Sequence, residues 1–184
     1  MNTTRHYQNN DFNFSISKKD IFQYIKDIIT NKDNNTTVLV PHVCSINATK
    51  TSKFASVAYK HYPIVQQNYT LSKTKKMGTT QFIEAYTNNK TKNSIIFANM
   101  ICENSINIPK NNSRIRLINY GALALCMFDV SAFIRNYLKN NTDHNVQIHA
   151  PKFGTGFAGG DWKVIGSLIS DIWNNQTTYI YEPN

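Results

Sequence analysis

Between Val146 and Trp173 a short apolar strand runs into a ten-residue loop that holds four of the chain's seven glycines, and a helical pattern follows at once. The strand reads from Val146 and Ile148 to Ala150, and the loop is Pro151-Lys152-Phe153-Gly154-Thr155-Gly156-Phe157-Ala158-Gly159-Gly160. Glycine loses more conformational entropy on folding than any other residue and packs nothing, so this density marks backbone at positive φ or backbone pressed close to something else. Asp161 is a fitting N-cap, and Trp162, Ile165, Ile169 and Ile172 recur at helical spacing with Val164 and Leu168 beside them. Strand, glycine loop and helix N-terminus in that order aim free N–H groups and the positive end of a helix dipole into the loop, which suits a phosphate or pyrophosphate. The loop matches neither a G-x-G-x-x-G fingerprint nor a Walker loop, so on spacing alone it is either an anion cradle or a tight structural turn.

The rest of the chain supplies the frame. Phe12, Phe14 and Ile16 alternate with polar residues and predict a first strand; Ser17-Lys18-Lys19-Asp20 then reads as a capping box before a helix from Ile21 to about Thr30. Asn31 to Asn35 reads as a loop and Thr36 to Cys44 as a buried strand. Phe54, Val57, Ala58 and Tyr62 predict a helix stopped by Pro63, with a second helical piece from Ile64 to Tyr69. Thr80 to Ala85 and Ser94 to Ile101 are two strands joined by a hairpin-like loop, Asn104 to Arg116 is a surface loop, Tyr120 to Leu138 is a long helix, and Thr177 to Tyr181 is a last strand. Strands alternating with helices predict a three-layer αβα domain around a mixed sheet, residues 1–184 forming one domain.

Composition bounds the partners. The formal charge is +9, from 20 Lys plus Arg against 11 Asp plus Glu, which suits nucleic acid or a phosphorylated metabolite. The cations are scattered, Lys73, Lys75 and Lys76 being the densest group, and no aromatic platform interleaves with them as in single-strand binders, so nucleic acid is disfavoured. Cys44, Cys102 and Cys126 lack metal-type spacing and read as small core residues; neither a metal nor a cofactor is expected. No run of about 18 apolar residues predicts a membrane span. Met1 to Asp11 is polar, without the apolar core of a signal peptide, which points to the cytoplasm, or to the host cytoplasm for a viral protein. The heavy use of Asn, Lys, Ile and Tyr fits an AT-rich genome, a phage or parasite for example.

The stretch His149-Ala150-Pro151-Lys152-Phe153-Gly154-Thr155-Gly156-Phe157-Ala158-Gly159-Gly160-Asp161-Trp162 resembles the late phosphate loop of macro domains, the ADP-ribose-binding αβα modules. The resemblance extends from about Val38 to Trp173 and is closest to the branch that includes ADP-ribose-1''-phosphate phosphatases and terminal ADP-ribose glycohydrolases. Val40-Pro41-His42-Val43-Cys44 is similar to that branch's strand, Phe54 to Pro63 to its helix running into an aromatic-Pro pair, and Tyr69, Gly78 to Ile83, Ile95 to Ile101 and Arg116 to Leu123 follow in order. The first ligand loop departs. Where the family writes roughly Asn-Asp-x-Gly-x-Trp-Gly-x-Gly, this chain has Ser45-Ile46-Asn47-Ala48-Thr49-Lys50-Thr51-Ser52-Lys53, with Ile46 for the acid and Ala48, Thr51 and Lys53 for the glycines. The adduct-forming lysine of the glycohydrolases falls near Glu84 and their second acid at Ala158, so both roles look empty.

The resemblance implies a small-molecule ligand of ADP-ribose type, held without efficient turnover by Asn47, Gly154, Thr155, Gly156, Phe157, Ala158, Gly159 and Tyr120. For a phage protein, capture of an NAD-derived host signal, an anti-defence role, would fit. The alternative is a phosphatase or ADP-ribosyl hydrolase using His42, which aligns with the histidine proposed for the phosphatase members and whose ordinary pKa near 6.5 suits proton transfer. As a residue at the end of a buried strand, His42 also fits a hydrogen-bonded core histidine. Asp161 reads as a cap or a ligand contact, Lys152, Lys50 and Lys53 as phosphate partners or solvated cations, and Phe157 as a ribose-lining ring or packing beneath the loop.

Overall fold

A computed structural model describes residues 7–8, 12–30, 35–47, 51–73, 75–104 and 116–182. Its elements in chain order are β1 (Tyr7–Gln8), β2 (Ser15–Ser17), α1 (Ile21–Thr30), β3 (Thr36–Ser45), α2 (Lys53–His61), α3 (Pro63–Leu71), β4 (Thr79–Thr87), β5 (Ser94–Glu103), α4 (Tyr120–Asn140), β6 (Asn145–Pro151), α5 (Trp162–Ile172) and β7 (Thr178–Tyr181). The strands form one seven-stranded sheet in the order β1-β2-β7-β6-β3-β5-β4. Pairing is parallel from β2 through β5, and β1 and β4 run antiparallel at the two edges.

Each central strand sorts its side chains to two faces by simple alternation. Leu39 of β3, Ile96, Ala98, Met100 and Cys102 of β5, Val146, Ile148 and Ala150 of β6, and Ile180 of β7 pack under α4 and α5. Val38, Val40 and Cys44 of β3 and Ile95, Phe97 and Ile101 of β5 pack against α1, α2 and α3. Strands buried on both faces explain the nearly unbroken apolar runs in β3 and β5. The three layers match the expected mixed-sheet αβα architecture. All three cysteines are buried as core residues.

Two expectations at the N-terminal end are corrected. Regular pairing covers only Ser15–Ser17; the rings of Phe12 and Phe14 stack at 5.1 Å and both meet Trp162 edge-on, so the chain bends to cover the start of α5 before joining the sheet. The cap of α1 is Asp20, whose Oδ1 accepts the Phe22 and Gln23 N–H groups at 2.7 and 3.1 Å, while Ser17 Oγ only accepts the Lys19 N–H. A single carboxylate at the helix start thus does what a Ser17-to-Asp20 box was expected to do. The short edge strand β1 had no periodic signal. Most of the expected loop at Asn31 to Asn35, and residues 105–115 of the expected surface loop, lie outside the described residues.

Candidate ligand-binding site

Ligands of open α/β sheets lie beyond the carboxyl ends of the strands, where β3, β5 and β6 here release their loops. The loop after β6 is fastened along its length. Lys152 N–H donates to Tyr181 O at 2.7 Å, Gly160 N–H to Gly154 O at 2.8 Å and Gly159 N–H to Gly156 O at 3.0 Å. Ala158 O accepts the N–H groups of both Leu117 and Ile118, at 2.9 and 3.1 Å, so the loop leans on the segment leading into α4. Gly154 and Gly159 sit at φ +79° and +67°, the left-handed region that favours glycine. A Cβ on Gly160 would stand 2.7 Å from Gly154 O, closer than any side chain tolerates.

The outer tip differs from this packed base. A Cβ on Gly156 would meet nothing within 4 Å, and among the described residues the Thr155 and Gly156 N–H groups donate to no partner. Phe157 is 52 % exposed, while Phe153 is buried beneath the loop against Trp173. Asp161 caps α5, its Oδ1 accepting the Lys163 N–H at 2.8 Å. Tyr120 Oη accepts the Asp161 N–H at 2.7 Å, and the Arg116 guanidinium lies 4.4 Å over the Tyr120 ring. The sequence-selected residues Gly154 to Gly159 and Tyr120 are therefore brought together. Tyr120 acts on the loop's end through its hydroxyl, and Ala158 contributes its carbonyl to the loop's anchorage while its methyl is buried.

Lys152 does not face the tip. Its Nζ pairs with Glu182, which also holds Lys18, and lies 5.0 Å over the Trp162 ring. The expectation of Lys152 as a phosphate partner is corrected on that ground, because a carboxylate from the end of β7 already occupies its charge. The two lysines hold the Glu182 carboxyl below the usual carboxylate range.

The loop after β3 is built differently. Tyr69 Oη donates to Ser45 O, Ile46 N–H donates to Glu103 O at 2.9 Å, and the Ile46 side chain packs with the core under α2 and α3. Asn47 is exposed, its N–H donating to Ser45 Oγ at 3.3 Å. Ser52 caps α2, and Lys53, its first residue, is exposed. Residues 48–50, including Lys50, lie outside the described residues.

His42 stands apart from both loops. It lies three positions inside β3 and is 2 % exposed, with Phe54 and Phe97 at ring-centroid distances of 5.4 and 6.1 Å and Cys44 Sγ 3.6 Å from Nδ1. Burial pushes its pKa down to about 4; the Asn99 side chain and the Val43 backbone work the other way without offsetting it. These are the surroundings of an enclosed core histidine, and burial holds it toward the neutral form. Glu84 is exposed on the edge strand β4. Among the described residues no group of His, Cys, Asp and Glu side chains could hold a metal ion. A groove of about 460 Å³ between α1 and α2, lined in part by Phe22, Lys26, Val57 and His61, contains none of the sequence-selected residues.

One residue at the strand ends was not selected from the sequence. Glu103 closes β5, and its carbonyl receives the first N–H of the loop after β3. A single glutamate between an apolar run and a polar loop gives no periodic or motif signal; only the convergence of β3 and β5 marks it.

No protein-family model matches this sequence, and no curated protein matches it. Solved structures do. A protein of unknown function from Bacteroides thetaiotaomicron superposes with a TM-score of 0.67 at 20 % identity, over 91 % of this chain and 96 % of that one. A macrodomain protein from Streptomyces coelicolor gives 0.56 at 18 % identity, over 80 % and 89 %. DarTG from Thermosipho africanus, solved in complex with ADP-ribose, gives 0.58 at 13 % identity, over 92 % of this chain and 41 % of that one. On these superpositions this chain has the fold of a macro domain.

Proposed function

We propose that this protein binds ADP-ribose or a related NAD-derived nucleotide at the glycine loop and holds it without efficient turnover, as a reader or a sequestering protein. The observation that carries this reading is the loop's division into a fastened base and an open tip. N–H groups at Thr155 and Gly156 that are unpaired among the described residues, with open space over Gly156, stand just ahead of the N-terminus of α5. Diphosphate oxygens accept such N–H groups and gain from the helix dipole. Phe157, half exposed beside the tip, offers an apolar surface to a sugar ring. The Thermosipho protein of the same fold, solved with ADP-ribose, supports the ligand class. Lack of turnover is supported by the enclosure of His42, the outward position of Glu84 and the methyl of Ala158 where the glycohydrolases carry an acid. Capture of a host signal by a phage protein is one biological setting that fits such a binder.

Melting with and without ADP-ribose tests the reading. A ligand that binds only the native state adds about 2.7 kcal/mol at a hundredfold excess over Kd, enough for a clear rise in melting temperature. Gly156→Val should lower affinity more than about a hundredfold through a steric clash with the phosphate. Its ligand-free melting temperature should stay unchanged, because the new Cβ meets no protein atom within 4 Å. Nucleotide recovered intact after denaturing the complex supports a binder; rapid release of product would favour the hydrolase. Unchanged affinity in Gly156→Val would reduce the loop to a turn.

A further inference from the structure

Glu103 sits where the two loops of the site converge. Its carbonyl accepts the Ile46 N–H, which opens the loop after β3. On its other side its Cα bridges Ile118, and the Leu117 and Ile118 N–H groups hold Ala158 O of the glycine loop. The neighbouring bonds Asn104 N–H to Leu117 O and Asn119 N–H to Cys102 O complete this seam. The backbone of Glu103 is thus tied directly to one loop and, through one further segment, to the other.

Its carboxylate is treated differently from its backbone. Among the described residues it makes no ion pair and accepts no hydrogen bond. The chain carries 20 Lys plus Arg against 11 Asp plus Glu, and Glu182 alone holds two lysines. The Glu103 side chain is half-buried, and that burial raises its pKa. Glu103 is the last residue of β5, a strand whose preceding residues alternate between the two cores, so it stands at the rim of the sheet. A partly desolvated, unpaired carboxylate costs stability in the free protein, and such groups concentrate where a ligand supplies the missing partner. An ionised carboxylate only accepts hydrogen bonds and repels phosphate, so on a nucleotide its partner is a hydrogen-bond donor away from the phosphates.

We propose that Glu103 is a ligand-contacting, specificity-determining residue whose carboxylate accepts hydrogen bonds from a ribose diol of the nucleotide held by the glycine loop. This rests on the reading of that loop as a nucleotide site. The diol comes from the ribose next to the base or from the distal ribose of ADP-ribose, and ADP, which lacks the distal ribose, separates the two.

The test measures Glu103→Gln and Glu103→Ala by ligand-free melting and by calorimetry with ADP-ribose and with ADP. Affinity of both variants for ADP-ribose should fall about tenfold or more, as expected for loss of hydrogen bonds to a charged acceptor. Ligand-free melting should stay level or rise, because the substitutions remove an unpaired charge from a half-buried position. Unchanged ADP affinity then identifies the distal diol, and an equal loss identifies the diol next to the base. If the parent binds ADP-ribose and both variants bind it as tightly, the Glu103 assignment falls while the site reading stands. Variants that melt well below the parent would make Glu103 a structural residue and overturn the assignment as well. A parent that binds neither ADP-ribose nor ADP overturns the site reading and this assignment with it.

Discussion

The loops after β6 and β3 leave neighbouring parallel strands of one sheet, yet one is made of glycine and the other of side chains. After β6 the backbone passes through two left-handed glycines, receives bonds from residues 117 and 118, and presents an unoccupied surface at Gly156. After β3 the chain turns Ile46 into the core and holds Ser45 by Tyr69. Bare backbone can touch a phosphate, whereas a side chain pulled inward contributes packing instead. The two loops of one sheet are therefore built on opposite principles, open backbone after β6 and inward packing after β3.

The strands feeding the two loops offer the largest effect by which to probe that comparison. Each carries an enclosed histidine: His42 in β3, with a pKa lowered to about 4, and His149 in β6, with a pKa lowered to about 3, in both cases chiefly by burial. His149 is also bonded to Tyr181 Oη at 2.9 Å and Gln147 Oε1 at 3.0 Å. An unfolded histidine titrates near 6.5, so as pH falls the unfolded chain takes up protons first. Stability is complete above about pH 6.5 and is lost progressively toward pH 4, by about 3 kcal/mol for His42 alone. Denaturant unfolding across that range checks the loss, and His42→Gln should reduce its slope. A flat profile would mean that neither imidazole is held neutral.

A smaller effect separates the loops themselves. Asn47→Ala should weaken ADP-ribose binding less than about tenfold, the scale of one exposed hydrogen bond. That is far short of the loss expected for Gly156→Val. Calorimetry on the two variants side by side decides it; equal losses would show that the loop after β3 grips the ligand as firmly as the glycine loop.

The smallest effect expected is that of salt. Fixed N–H dipoles release few counterions, so affinity for ADP-ribose should change less than about tenfold between 50 and 200 mM salt, whereas a polynucleotide contacting 6 to 10 phosphates would lose roughly 10³ to 10⁵ over that range. A steep slope for the small ligand would bring lysine side chains, such as Lys53 at the start of α2, into the contact. Tight nucleic-acid binding persisting at 200 mM would change the class of partner altogether.

Much of this was legible from the chain. The 3.6-residue spacing in α5 and the runs in β3 and β5 depend on local order, and they predicted elements that the fold contains nearly to the residue. The base of the glycine loop was legible for the same reason, since Gly154, Gly159 and Gly160 each meet a local steric demand. Less legible were contacts between distant segments. The pairing of Lys152 with Glu182 joins residues 30 apart, and the enclosure of His42 depends on Phe54 and Phe97. A lysine in a glycine loop and a histidine near a strand end look the same in sequence whether or not another segment has claimed them.

What the sequence determined by itself is the alternation of elements, the αβα class and the glycine-dense loop before α5, because periodicity, capping and glycine sterics act within a few residues. Only the tertiary structure decided which polar groups are spent and which are left over. It turned Lys152 toward Glu182, buried His42, tied Tyr120 to the Asp161 N–H and left the Glu103 carboxylate without a partner among the described residues. Charge pairing and desolvation depend on distance through space, and that distance is set only when β3, β5 and β6 lie side by side.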